Sequence, residues 1–271
     1  MNALGAELRK ILTTRTWWVL ALVLFGYVGV IGAGLGALFG WSSSNPNAVA
    51  QSASGLPSGT DVQPLVYSFA TSVGYVFPVL LGALATTGEF RHQTLTPTFL
   101  ATPRRTLVLA AKTIVLIGFG AVFGVVAWIA TLGLGAITLS AFGLDTQFGL
   151  SGTWAMVGRG ILAMALWAGI GVGLGALVKS QSAAIVIVLA FTQFVEPLLR
   201  FASSLTEATA NIGRFLPGAA SDSLVGASFF TLGAAMHGAT LDWWQGGLVL
   251  LAIAVLATVG GYFTSWRRDI T

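Results

Sequence analysis

Long uncharged apolar runs, separated by short polar or basic stretches, set the pattern of this chain. Six of them, at 17–40, 63–87, 107–132, 154–178, 183–201 and 243–266, come near the ~20 residues that an α-helix needs to cross the hydrocarbon core of a bilayer. The third continues in apolar character toward Phe142. A spanning segment must satisfy its own backbone hydrogen bonds, so the pattern predicts helices and not strands. The expected fold is all-α: one transmembrane domain over 1–271 with six spans. The fifth run is the shortest and carries Glu196, Pro197 and Arg200 toward its end. If it did not cross, the two termini would lie on opposite sides.

Between the runs the pattern changes. Residues 1–16 place Leu4, Leu8, Ile11 and Leu12 at i, i+4, i+7 and i+8, with Glu7, Arg9 and Lys10 on other faces and Arg15 following. This describes a helix lying in the membrane interface with its cations toward anionic headgroups, or a simple positive anchor for the first span. Residues 41–62 are rich in Ser, Asn, Gly and Pro and contain no Lys or Arg, as expected of an exterior loop. Residues 202–242 are longer, with apolar stretches at Phe215-Leu216 and Leu224–Leu232 that suggest short helices on or in the outer face. After the second run comes a loop over 88–106, in which Thr96-Pro97 and Thr102-Pro103 each offer a capping hydroxyl before a proline at a first helical position.

Composition agrees with the pattern. Of 271 residues 55% are hydrophobic and only 8% charged, against roughly 25% charged in an ordinary soluble domain. The absence of cysteine excludes thiol catalysis and Cys-ligated zinc. Arg9, Lys10 and Arg15 before an apolar run, with Ala48-Val49-Ala50 after it, imitate a cleavable signal. The run over 17–40 is longer than the 7–15 residues of such a core and reads as a span.

Charge orients the spans. Ten of the thirteen Lys and Arg (Arg9, Lys10, Arg15, Arg91, Arg104, Arg105, Lys112, Lys179, Arg267 and Arg268) fall on one alternating set of ends and loops. Only Arg159, Arg200 and Arg214 fall elsewhere, so both termini are expected in the cytoplasm. Trp17, Trp18, Trp41, Trp154, Trp243, Trp244 and Trp266 stand at span ends, where amphipathic rings favour the headgroup layer.

Candidate chemistry inside the membrane is sparse. Glu196 and Arg200, four apart with the acid first, suit a helical ion pair, with a proton-coupled Glu196 as the alternative. Arg159 is expected to reach the interface or to contact substrate. Pro78 removes a backbone hydrogen bond in the middle of the second span and is a candidate hinge. Gly171-Val172-Gly173-Leu174-Gly175-Ala176 and Lys179-Ser180 imitate nucleotide-binding motifs, but they lie in an apolar span and position 178 is not glycine. Helix packing explains them better, as it does Gly32, Gly36 and Gly40 and the pair Gly169 and Gly173, within the bundle or across a dimer. His92 and His237 are expected on opposite sides of the membrane, which argues against a metal site.

The run Gly88 to Arg105, GEFRHQTLTPTFLATPRR, and the N-terminal segment ending Lys10-Ile11-Leu12-Thr13-Thr14-Arg15-Thr16-Trp17-Trp18 resemble bacterial ABC transporter permeases of the type-2 exporter class. The resemblance implies a coupling helix formed by Glu89, Phe90, Arg91, His92, Gln93, Thr94, Leu95, Phe99 and Leu100, docked on a separate ATPase present in two copies. It also implies a second permease half, identical or related, and a bacterial cytoplasmic membrane. ATP and Mg would be bound by the partner, with no cofactor or enzymatic activity in this chain and no nucleic-acid partner. Export of a drug, lipid or peptide is the implied direction. An ion-coupled secondary transporter and a non-transporting membrane scaffold are the rival readings.

Overall fold

A computed structural model describes residues 3–44, 61–203, 205–228 and 240–266. They are helical throughout, with no strand among the described residues. We number the helices α1 (Ala3–Thr13), α2 (Thr16–Ser44), α3 (Val62–Ser72), α4 (Val76–Arg91), α5 (Leu95–Ala101), α6 (Arg105–Ala141), α7 (Ser151–Val178), α8 (Gln181–Ala190), α9 (Glu196–Ser203), α10 (Glu207–Gly213), α11 (Pro217–Val225) and α12 (Trp243–Gly261).

Among the described residues six helical stretches are long and apolar enough to cross a membrane: Thr16–Ser44, Val62–Arg91, Arg105–Ala141, Ser151–Val178, Gln181–Ser203 and Trp243–Trp266. The third has 37 residues, about 55 Å at 1.5 Å per residue, and so outreaches a bilayer of ~45 Å. Burial sorts them. Two thirds of the second and fourth spans are covered by protein, against about a fifth of the fifth and sixth, so the second and fourth form the centre.

Small residues make that centre possible. Gly173 faces Ala257 of the sixth span, where a Cβ would come within 2.6 Å of backbone. Gly171 lies against the Val79 carbonyl of the second span, and Gly175 against Ala83. The 171–176 run is therefore a packing face. Gly32, Gly36 and Gly40 meet Thr131 and Thr138 of α6 and Phe142, which caps it, inside the bundle.

Three spans are irregular: the sixth ends in a π-helical turn over Tyr262–Trp266, and the second and fifth are interrupted along their length. The second breaks at 73–75, between α3 and α4. Pro78 has no N–H to offer the Gly74 carbonyl, which instead accepts from Phe77 N at 3.1 Å. The break thus precedes the proline, which itself sits in the first turn of α4. In the fifth span residues Phe191–Val195 widen into a π-helical turn, and Glu196 N donates to Phe191 O, five residues back. Pro197, which follows, would otherwise press its ring on the carbonyl four residues before it.

The segment before the sixth span is folded inward. Pro217 opens α11 and Gly226, at φ +95°, closes it. Within it Ser221 accepts from Trp167 Nε1 at 3.1 Å. Trp167 lies sixteen residues into a 28-residue helix, so α11 reaches toward mid-membrane depth. The stretch Leu224–Leu232 runs into residues outside those described, as do His237, Arg267 and Arg268.

Candidate functional site

Two polar clusters stand in this apolar bundle, one at each end of α4.

The first lies at the basic end. Residues Glu7 and Lys10 of α1 turn toward the protein, and for Lys10 this departs from the expectation that the cations of this helix face headgroups. Lys10 Nζ is 2.6 Å from Glu7 Oε1 and 2.8 Å from Glu89 Oε1. Lys112 Nζ, only 2% exposed, is 2.6 Å from Glu7 Oε2 and 3.1 Å from Glu89 Oε1. Two acids and two cations thus form a closed quartet that ties α1 to the end of α4 and the start of α6. Burial pushes the Glu7 carboxyl upward, but the Lys112 charge and hydrogen bonds from both lysines outweigh it and hold the group below its ordinary range. Burial presses the Lys10 ammonium downward, and the facing Glu89 and Glu7 carboxylates raise it overall. On the opposite face of α1, Leu4, Leu8 and Leu12 are exposed in a row, whereas Ile11 is buried beside the quartet. The apolar stripe is therefore narrower than expected.

Beside the quartet is the elbow. Helix α4 runs on to Arg91, so residues 88–91 are helix rather than loop. His92 caps it, and Gln93 turns the chain at φ +53°. The elbow helix starts at Leu95 after Thr94, two residues earlier than a Thr96 cap would give, and α6 starts at Arg105. Leu95 is 1% exposed. Phe90 and Phe99 meet the Trp266 ring edge-on at 5.7 and 5.9 Å. Arg105 lies over the Phe99 ring at 5.1 Å and donates to Trp266 O at 3.4 Å. Trp266 is thus a buried bolt and not an interfacial ring.

The expected docking residues divide accordingly. Glu89 and Leu95 are buried, and Phe90 and Phe99 are spent on Trp266, because each finds a better partner inside than water offers. Arg91, His92, Gln93 and Thr94 are exposed, with Arg91 donating to Gln181 Oε1 at 2.8 Å. Leu100 is 80% exposed. It is the apolar residue the elbow presents outward.

No family model matches this chain, and no curated protein matches it. Function must be argued from the geometry.

The second cluster lies deeper, at the breaks in the second and fifth spans. Glu196 and Arg200 do approach, with Nε 3.5 Å from Oε1, but the closer partner of Arg200 is Asp222 of α11, at 2.8 Å from Nη1. Asp222 also accepts from Ser228 at 2.7 Å and from Ser72 at 3.0 Å. Glu196 accepts from Gly218 N and lies 3.1 Å from the Tyr75 hydroxyl. Tyr75 stacks on Trp167 with ring centroids 4.3 Å apart. The sequence concealed this assembly because its members come from four separate stretches. Only the i, i+4 pair was visible, and Asp222 sits where the outer segment shows no periodicity.

Arg159 stands apart from both clusters. Its guanidinium covers the Trp243 ring at 4.7 Å, a cation–π contact at the start of the sixth span. Among the described residues no group of His and carboxylates could hold a metal.

Proposed function

We propose that the chain is the membrane-spanning subunit of an ATP-driven ABC transporter in a bacterial cytoplasmic membrane. Both termini and the elbow face the cytoplasm, where the Lys and Arg concentrate. Two copies of a separate ATPase, carrying ATP and Mg, dock at the elbows of two permease halves. An apolar or amphipathic molecule passes between those halves, outward by the resemblance. The single observation that carries this reading is the construction of α5. It is clamped at its base by Leu95, Phe99 and Trp266, and presents Leu100 uncovered among polar residues. A helix so held passes force to the spans instead of swinging. Its N-cap residue Thr94 donates its N–H to Glu89 O at 3.1 Å, and the Glu89 carboxylate belongs to the quartet, so a push on α5 reaches α1, α4 and α6 together.

A second reading has its own support. An ion-coupled secondary transporter uses broken spans with buried carboxylates, and the break at 73–75 with Glu196 beside it has that form.

Co-expression with phosphate-loop ATPases of the same organism, one at a time, tests the first reading. Leu100→Asp should abolish co-purification of the true partner while leaving the melting temperature of the membrane subunit unchanged. Phe99→Asp should lose the partner and lower the melting temperature as well, since it breaks the clamp. Full recovery of the ATPase with Leu100→Asp would refute docking at the elbow.

A further inference from the structure

The inner network of Glu196, Arg200 and Asp222 does not balance in charge. Two carboxylates, 1% and 2% exposed, share one guanidinium among the described residues. Arginine does not give up its proton in proteins. An unpaired carboxylate at this depth is expensive and takes up a proton instead.

The hydrogen bonds say which acid carries it. Asp222 is served as an anion: Arg200 donates at 2.8 Å, Ser228 at 2.7 Å and Ser72 at 3.0 Å. Glu196 is served differently. Arg200 stays 3.5 Å away, beyond the roughly 2.7–2.9 Å of a charged hydrogen bond. The Tyr75 hydroxyl lies 3.1 Å from Glu196 Oε2 and 3.3 Å from the Thr192 carbonyl. A phenol has one proton, so with an ionised Glu196 it satisfies only one of these two acceptors. With a proton on Oε2 every contact closes: Glu196 donates to Tyr75 Oη, Tyr75 donates to Thr192 O, and Gly218 N donates to Oε1.

We propose that Glu196 is a proton-binding site, holding one proton while α11, the π-helical turn of the fifth span and the break in the second span are packed together. Around it stand Arg200 on its own helix, Asp222 on α11 and Tyr75 at the break, and the α7 residue stacked on Tyr75, Trp167, does not titrate. Separation of α11 from the fifth span removes the Gly218 donor and admits water, and the carboxyl then ionises and pairs with Arg200. The proton leaves for solvent. Acid therefore favours the closed arrangement and alkali loosens it. This inference is independent of any ATPase and stands or falls separately from the reading of the elbow.

The test is infrared spectroscopy on the full chain in lipid nanodiscs, without added sodium. At neutral pH a protonated carboxyl stretch, shifted by deuterium, should be present, absent in Glu196→Gln and retained in Tyr75→Phe at a shifted position. Glu196→Gln mimics the protonated acid, so its melting temperature should stay within about 2 °C of the parent and lose the alkaline decline that the parent shows between about pH 5 and 10, where the quartet keeps its charges. Asp222→Asn removes the closer, ionised partner of Arg200, so Glu196 has to give up its proton to replace it, and this variant should melt lower than Glu196→Gln. The proposal is overturned if no such band exists, if the band survives Glu196→Gln, or if Glu196→Gln melts as low as Asp222→Asn. It is overturned equally if sodium chloride raises the melting temperature where the band is missing, since the occupant would then be a metal cation.

Discussion

Replacing Lys112 by Met should be among the most damaging single changes at the basic end. Lys112 is 2% exposed and bridges Glu7 at 2.6 Å and Glu89 at 3.1 Å. The methionine fills most of the same volume, so the cost is electrical rather than steric. Two buried carboxylates would be left with Lys10 alone. Removing one partner of a buried ion pair costs about 3–5 kcal/mol, because the remaining charge is stranded. At about 2–4 °C per kcal/mol, the melting temperature of the purified chain falls by roughly 6–20 °C. Adding Glu7→Gln to Lys112→Met removes the stranded charge and leaves the Lys10–Glu89 pair, 2.8 Å apart, balanced. The double variant should then recover most of the loss, with a coupling energy of about 1–3 kcal/mol. Acid supplies an internal control, since protonating Glu7 relieves the same imbalance, and the single variant should approach the parent in stability as the pH is lowered. Additive losses, with the double variant lower than Lys112→Met alone, would refute the view that the quartet is a neutral closed unit.

The attachment of α1 should have a broad pH plateau. Glu7 titrates below its ordinary 4.5, so its contribution is present above that value and fades as pH falls through the lowered one. Lys10 titrates above its ordinary 10.5, so its contribution is present below that value and fades as pH rises through the raised one. Hydrogen exchange in residues 3–13, corrected for intrinsic rates, should stay protected throughout about pH 5 to 10 and open only as pH falls below the lowered Glu7 value or rises above the raised Lys10 value; opening inside the plateau would contradict the ion pairing. Trp266→Ala removes the ring on which Phe90 and Phe99 rest and should cost about 3–5 kcal/mol. Exchange should rise across 92–104, and unchanged protection there would show that the clamp is not what holds the elbow.

The spans were legible because their physics is one-dimensional. A run that must bury its backbone in hydrocarbon announces its length and composition without reference to any other part of the chain. The elbow was half legible: the prolines at 97 and 103 marked a broken segment, yet which side chains point outward depends on Trp266, some 160 residues away. Glu89 illustrates the limit. In sequence it is a charge beyond a span end, the natural place for a solvated or docking residue. In the structure it is buried, because Glu7 and the two lysines arrive from α1 and α6 and replace its water. Likewise Lys112 counted correctly toward the charge bias of one end, while its own position is interior. Asp222 carried no local mark at all, and it displaced Glu196 as the nearer partner of Arg200.

Helix α4 links the two clusters, and its dimensions limit how they can act. It has sixteen residues, about 24 Å end to end. Glu89 stands in its last turn, and Tyr75 immediately precedes its first. Over most of this length it is packed against α7 through Gly82, Gly171 and Gly175, where backbones touch and no side chain can yield. Such a helix slides or tilts as a rod rather than bending, and the deformation collects where its hydrogen bonding is already interrupted, at 73–75. Any force delivered at the elbow therefore arrives at the residue that holds Glu196 and Thr192 together. A Pro78→Ala substitution tests this directly. Alanine restores the donor to the Gly74 carbonyl and favours continuity between α3 and α4. Hydrogen exchange at 73–77 should slow, while the quartet, a helix length away, keeps its protection. If exchange at 73–77 were unchanged, the break would owe nothing to the proline, and the rod would have no predetermined point of flexure.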